Sequence, residues 1–214
     1  MSSRKGSEFE RWFAKQLSLW WSQEWDEPRD DLFWRTSQSG GRSTVRARKG
    51  LGTKGHVGDI GPTCAEAEPL TNLVVFELKN GYSADTIHAL LDAPDGSAKQ
   101  EYVKWFEHAI DVATVAQIPY WMVVTKRTRR DPLVFIPHTL RIELGSSGLI
   151  ASVPQVLVSI PICESWTAIH GFPLTRFFKS FQPKQFLEPE KKWCCNADNV
   201  STSPNDGLAT RKRS

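Results

Sequence analysis

The sequence predicts an α/β fold with a central mixed β-sheet flanked by helices. Three observations carry that expectation. An amphipathic helical stretch opens the chain, strand-length apolar runs follow it, and one of those runs is joined to the next by a single long helical segment. A helix between two neighbouring strands is the crossover that a parallel pair requires.

The elements follow in order. From Ser7 to about Gln23, the residues Phe9, Trp12, Phe13, Leu17, Trp20 and Trp21 recur at helical spacing and form one apolar face. Ser7 suits an N-cap and Glu10 lies three residues on, as in a capping box; Asp26-Glu27-Pro28 ends the helix. Leu32–Thr36 reads as a short strand, Val57–Ile60 as a second and Asn72–Lys79 as a third. Within the third, Leu73-Val74-Val75-Phe76 is continuously apolar, as a strand covered on both faces would be. A short helical turn is expected near Thr86–Leu91. Ser97 then caps a helix over 98–116, with Gln100 at the capping-box position and Trp105, Phe106, Ala109, Ile110, Val112 and Ala113 on its apolar side. Pro119–Thr125 is the fourth strand, parallel to the third. Val134–Ile136, Thr139–Leu144 and Val156–Ile160 read as further strands, and Pro173–Phe181 as a last short helix.

One domain is expected over 1–181, with a basic insertion at 37–56 and an extension of the core from about 130. Residues 182–214 lose the apolar pattern, end in Arg211-Lys212-Arg213 and read as a disordered or loosely attached tail. Apolar residues make up 40% of the 214, enough for a packed core. Nine Trp is a high count, and Trp12, Trp20, Trp21 and Trp105 are most simply core. The net charge of +3 is mild, so its distribution matters more than its sum. Cys64, Cys163, Cys194 and Cys195 lack the spacing of a zinc knuckle and do not suggest a disulfide framework. There is no apolar leader and no stretch long enough to span a bilayer, so a cytoplasmic protein without a membrane partner is expected.

The chemistry concentrates in a split acidic motif, Gly58-Asp59-Ile60 and then Glu77-Leu78-Lys79. Strand side chains alternate faces, so Glu77 and Lys79 share one, and the preceding strand delivers Asp59 to it. Two carboxylates suit a hard divalent cation bound through oxygen. An adjacent ammonium suits hydrolysis of a phosphodiester, where it orients water or offsets developing charge. From Arg35 to Lys54 the chain holds Arg35, Arg42, Arg46, Arg48, Lys49 and Lys54 and no acid, a composition fitted to phosphate contact. Plainer readings stand beside these. Strands often carry Glu and Lys on one face as a solvated pair. Glu10 has a capping role open to it, Ser39 beside Gly40 suits loop chemistry, and His56 suits a plain loop position. Trp34 could stack on a base, although a strand Trp usually packs.

The segment Arg4-Lys5-Gly6-Ser7-Glu8-Phe9-Glu10-Arg11, with Arg35 followed by Ser39-Gly40, resembles the archaeal Holliday-junction resolvases. Together with the split motif, it resembles the PD-(D/E)xK nuclease superfamily on its resolvase-like branch, over residues 4–126. The resemblance implies a restriction-endonuclease-like core. It implies metal ligation by Asp59, Glu77 and the Leu78 carbonyl, with Glu10 assisting, often through water. It further implies Lys79 as the catalytic Lys, Ser39 near the scissile phosphate and a two-fold homodimer. Three departures stand out. Gly58 occupies the place of the Pro. The loop between Ser39 and Asp59 is longer than in minimal resolvases, and Gln100 is followed at the fourth position by Lys104 rather than Tyr.

The expected function is a Mg²⁺-dependent DNA endonuclease, with Mn²⁺ possible in its place. Catalysis would use Glu10, Asp59, Glu77 and Lys79. DNA contacts would come from Arg35, Ser39, Arg42, Arg46, Arg48, Lys49 and Lys54, with Lys99 and Lys104 as weaker candidates. The expected substrate is duplex or branched DNA, cut by structure as a resolvase does. A sequence-specific restriction-type enzyme, or a non-catalytic binding module on the same scaffold, remains as the alternative.

Overall fold

The computed structural model describes residues 3–36, 57–82, 86–90, 100–145, 154–162 and 165–187. The N-terminal apolar face forms helix α1, Ser3–Trp21. The helix begins at Ser3 rather than Ser7, so Ser7 lies inside it rather than at its N-cap. Gly6 is carried within the helix because one interior glycine costs only about 1 kcal/mol relative to Ala. Phe9, Phe13, Leu17, Trp20 and Trp21 are buried. Trp12 is not the core residue its spacing suggested: it stacks on Phe9 at 5.7 Å, with Lys126 Nζ 4.8 Å from its ring.

Strands β1 (Phe33–Arg35) and β2 (Ile60–Pro62) pair antiparallel. The second strand begins where the sequence placed its end. A short helix not expected from the sequence, α2 (Glu68–Leu73), follows; Leu70 and Leu73, one turn apart, are both buried. Strand β3 (Val74–Asn80), helix α3 (Glu101–Ala116) and strand β4 (Tyr120–Lys126) form the expected crossover. The two strands are parallel, in register from Val74 with Tyr120 to Asn80 with Lys126. Gln100 is the N-cap of α3 and makes no side-chain capping bond; Ser97 lies outside the described residues.

Strand β5 (Leu133–Pro137) is antiparallel to β4. The strand expected at Thr139–Leu144 is instead helix α4, His138–Glu143. Leu140, Ile142 and Leu144 alternate with polar residues, which reads as a strand. Leu140 and Leu144 are both buried while Ile142 is exposed, so the period in space is four and helical. Strands β6 (Val156–Ile162) and β7 (Ser165–Pro173) complete a five-stranded sheet of order β3-β4-β5-β7-β6. The sequence did not reveal β7. Helix α5 (Leu174–Ser180) follows, then a 3₁₀ turn at Pro183–Phe186. Phe186 is buried edge-on against Trp20 at 5.5 Å, so ordered packing continues past the expected boundary at 181. Residues 188–214 lie outside the described residues.

Two apolar clusters cover the two faces of β3. Val74, Phe76 and Leu78 pack with Phe9, Phe13 and Leu17 of α1. Val75 packs with Trp105, Phe106 and Ala109 of α3. The mixed sheet with helices on its faces is the expected fold class. Among the described residues no helix is long and apolar enough to cross a membrane.

A buried histidine gives the far end of the sheet a pH response. His138 Nδ1 and His170 Nε2 lie 2.8 Å apart. Burial, then the charges of His138 and Arg141, lower the His170 pKa to about 4. The unfolded chain binds this proton below about 6.5 and the folded chain does not, so stability is full above that pH and falls as the pH drops toward 4. The expected loss is about 1–2 kcal/mol after allowance for partial solvation. Urea midpoints at pH 7 and pH 4.5 measure it, and His170→Leu should flatten that part of the dependence.

Candidate active site

The site is built around one glycine. Gly58 has φ +80° and forms a single parallel bridge with Phe76 of β3. A Cβ at this position would lie 2.5 Å from the Phe76 carbonyl oxygen. The backbone of the next residue is clamped from both sides: Asp59 N–H donates to Phe76 O at 2.8 Å, and Thr36 N–H donates to Asp59 O at 2.9 Å. The Thr36 hydroxyl donates to Gly58 O at 2.7 Å. The Asp59 carboxylate is thereby delivered to the edge of β3, where its Oδ2 accepts from the Leu78 N–H at 2.7 Å. A proline, whose φ is fixed near −65°, cannot take the conformation of Gly58. This explains the departure from the superfamily's name.

Glu77 and Lys79 project from the face of β3 that α3 covers, opposite the face of Phe76 and Leu78. The Lys79 ammonium donates to Glu77 Oε1. Asp59 and Glu77 are 8% and 5% exposed. Burial, then the Glu77 charge, push the Asp59 pKa up to about 8 against the opposing Leu78 hydrogen bond, and Glu10 adds a weaker push. At Lys79 burial acts to lower the pKa, but the Glu77 charge and hydrogen bond, with Asp59, outweigh it and the pKa is raised. Lys79 is therefore an ammonium at neutral pH, suited to donate hydrogen bonds and offset negative charge rather than to take up a proton.

Glu10 of α1 accepts a hydrogen bond from Arg35 Nε at 2.9 Å. Both sequence-predicted residues thus sit at the site's margin, each holding the other. Sequence reasoning missed His108 of α3, whose Nε2 is 3.7 Å from Glu77 Oε2. A signal was present. His108 lies four residues after Lys104 and eight after the N-cap Gln100, on the polar side of the helix that packs against β3. Lys104 is paired with Glu101 at 2.5 Å. Ser39, Arg42, Arg46, Arg48, Lys49, Lys54, His56 and Lys99 lie outside the described residues.

Among the described residues no three His, Cys, Asp or Glu are gathered closely enough to hold a metal by side chains alone. What is present is a pair of buried carboxylates, Asp59 and Glu77, one forced to hold its proton toward neutral pH by burial and the other's charge. A cation bound between them would remove that repulsion, and an all-oxygen set of this kind fits Mg²⁺ or Mn²⁺. The Leu78 carbonyl leaves the strand on the same side as its N–H, toward Asp59.

An α/β core of restriction-endonuclease type that brings Asp59, Glu77 and Lys79 together has the architecture of a PD-(D/E)xK nuclease. The family model described as "Phage putative PDDEXK endonuclease" matches residues 1–159, and the chain belongs to that family. Comparison with curated proteins and with solved structures gave no match.

Proposed function

We propose that the chain is a Mg²⁺-dependent DNA endonuclease, tolerant of Mn²⁺, that hydrolyses phosphodiester bonds in branched DNA as a two-fold homodimer. The observation that carries the chemistry is the pair of buried carboxylates beside an ammonium on one face of β3. The preference for branched DNA and for a homodimer rests on the resemblance of residues 4–126 to junction resolvases.

Asp59, Glu77 and the Leu78 carbonyl would hold the cation. When bound, it polarises the phosphate and makes water a better nucleophile. The Leu78 N–H fixes one oxygen of Asp59 and leaves the other for ligation. Lys79 donates to the attacking water or to a phosphate oxygen, and offsets charge that grows in the transition state. Glu10, oriented by Arg35, adds negative charge from further out. Arg35 and the basic segment with Ser39, Arg42, Arg46, Arg48, Lys49 and Lys54 hold the DNA backbone, which fixes position without reading sequence. Two copies related by a two-fold axis would cut two strands symmetrically.

Labelled four-way junction, linear duplex and single strand, each with Mg²⁺, with EDTA and with Asp59→Ala protein, test this reading. Symmetric junction cleavage lost in both controls is the expected result. Cutting of duplex at fixed sites would replace the branched-DNA preference by sequence recognition. Binding without cleavage in either Mg²⁺ or Mn²⁺ would leave a binding module.

A further inference from the structure

Trp34 does not pack as a strand tryptophan usually does. It is 54% exposed, while its neighbour Phe33 is fully buried. Its cross-strand partner in β2 is Gly61, which has no side chain to cover the indole. Among the described residues it stacks on no other ring. Singly exposed aromatics are ordinary on protein surfaces, and Trp166 is more exposed still; what distinguishes Trp34 is its position beside the carboxylates.

The register places this ring beside the site. Trp34 stands opposite Gly61, and Asp59 lies two residues before Gly61, so all three belong to one face of the β1–β2 ribbon. The other face carries Phe33 and Ile60, which pack under α1, and Arg35, which reaches Glu10 of α1. Glu77 and Lys79 likewise face away from α1. Gly58 bridges to Phe76, so the ribbon continues the sheet at the β3 edge. Trp34, Asp59 and the Glu77–Lys79 pair therefore follow one another across a single surface. Trp34 is two strands out from β3, about 10 Å at the usual strand spacing, within a few nucleotides' reach of a phosphate held at the carboxylates.

We propose that Trp34 is a stacking platform for an unpaired base close to the scissile phosphate. It would make the enzyme select DNA in which that base is free, such as a branch point or splayed arm, over continuous duplex. Every base offers a π-face, so stacking is tolerant of sequence, but in a continuous duplex both faces are occupied by neighbouring bases. The inference rests on the nuclease reading and specifies its substrate. Trp34 acts on selection and takes no part in the bond-breaking step.

The test uses the full chain, Trp34→Ala and Trp34→Phe, with splayed-arm and continuous duplex DNA of the same sequence. Binding is measured in EDTA and cleavage in Mg²⁺. Abasic nucleotides are placed in turn at each position around the mapped cleavage site. Trp34→Ala should weaken splayed-arm binding by about 5- to 100-fold, the usual worth of one stacked base, with duplex binding nearly unchanged. Trp34→Phe should keep most of the affinity. One abasic position should weaken wild-type binding by a similar factor and leave Trp34→Ala binding unaltered. Equal losses on both DNAs, or an abasic penalty that is the same in wild type and Trp34→Ala, would overturn the proposal. If the wild type cuts splayed DNA and Trp34→Ala cuts it equally well, only this inference fails. If the wild type neither binds nor cuts any DNA, the nuclease reading fails and takes this inference with it.

Discussion

Asp59→Asn should abolish cleavage, by about a thousandfold or more, and should make the metal-free protein more stable. Most substitutions at buried, hydrogen-bonded positions destabilise, so the expected sign is unusual. It follows from the surroundings of the carboxylate. Asp59 is 8% exposed and stands beside the buried Glu77, with one backbone N–H as its direct partner in the site. Asparagine keeps an oxygen for the Leu78 N–H and carries no charge. The sign of the pH dependence follows from linkage. The folded pKa is raised to about 8, against an ordinary value of 3.8. Between those values the folded state holds a proton that the unfolded state releases, so wild-type stability falls as pH rises through that window. The gain from Asp59→Asn should therefore be small near pH 4 and reach about 2–5 kcal/mol by pH 8.5, allowing for local relaxation. That corresponds to about 5–15 °C in melting temperature for a chain of this size. Thermal melts in EDTA across that range measure it. A variant less stable than wild type at pH 8.5 would contradict the description of Asp59 as a destabilised carboxylate. Added Mg²⁺ should narrow the gap by stabilising wild type alone.

Gly58→Ala should be among the most damaging single-methyl additions in this protein, at about 3–5 kcal/mol. Two effects add. The backbone at φ +80° lies where L-residues are strained, and the new Cβ would sit 2.5 Å from a backbone oxygen that has no rotamer to relax into. Relief requires residue 58 to move off β3, which breaks the Asp59 N–H bond to Phe76 O and withdraws the carboxylate from Glu77. Cleavage should therefore be lost even under conditions where the variant stays folded. Gly145→Ala is the matched control. Its φ is +75°, but among the described residues a Cβ there meets nothing within 4 Å, so it should lose only the conformational part, about 1 kcal/mol. Urea titration of the two variants separates close approach from backbone strain; equal losses would show that the bridge to β3 carries no special constraint. Gly58→Pro, although it restores the superfamily's written motif, should fare worse than Gly58→Ala because the ring forbids this φ outright.

The crossover of β3, α3 and β4 was legible in the chain, and with it the face that Glu77 and Lys79 share. Both rest on local periodicity: an unbroken apolar run marks a doubly covered strand, and alternation sets i and i+2 on one side. The apolar face of α1 was legible for the same reason. The start of α1 was not: Ser7 has the chemistry of a cap, yet the helix continues back to Ser3. At 139–144 apolar alternation was consistent with a strand until the burial of Leu140 and Leu144 together imposed a helix. Only the tertiary structure joined Glu10 to Arg35, brought His108 to Glu77 and left Trp34 uncovered opposite Gly61. Those relations depend on which elements become neighbours, and no periodicity along a single segment encodes them. Gly58 lies between the two cases: the sequence showed a glycine where a proline was expected, and the close approach to Phe76 supplied the reason.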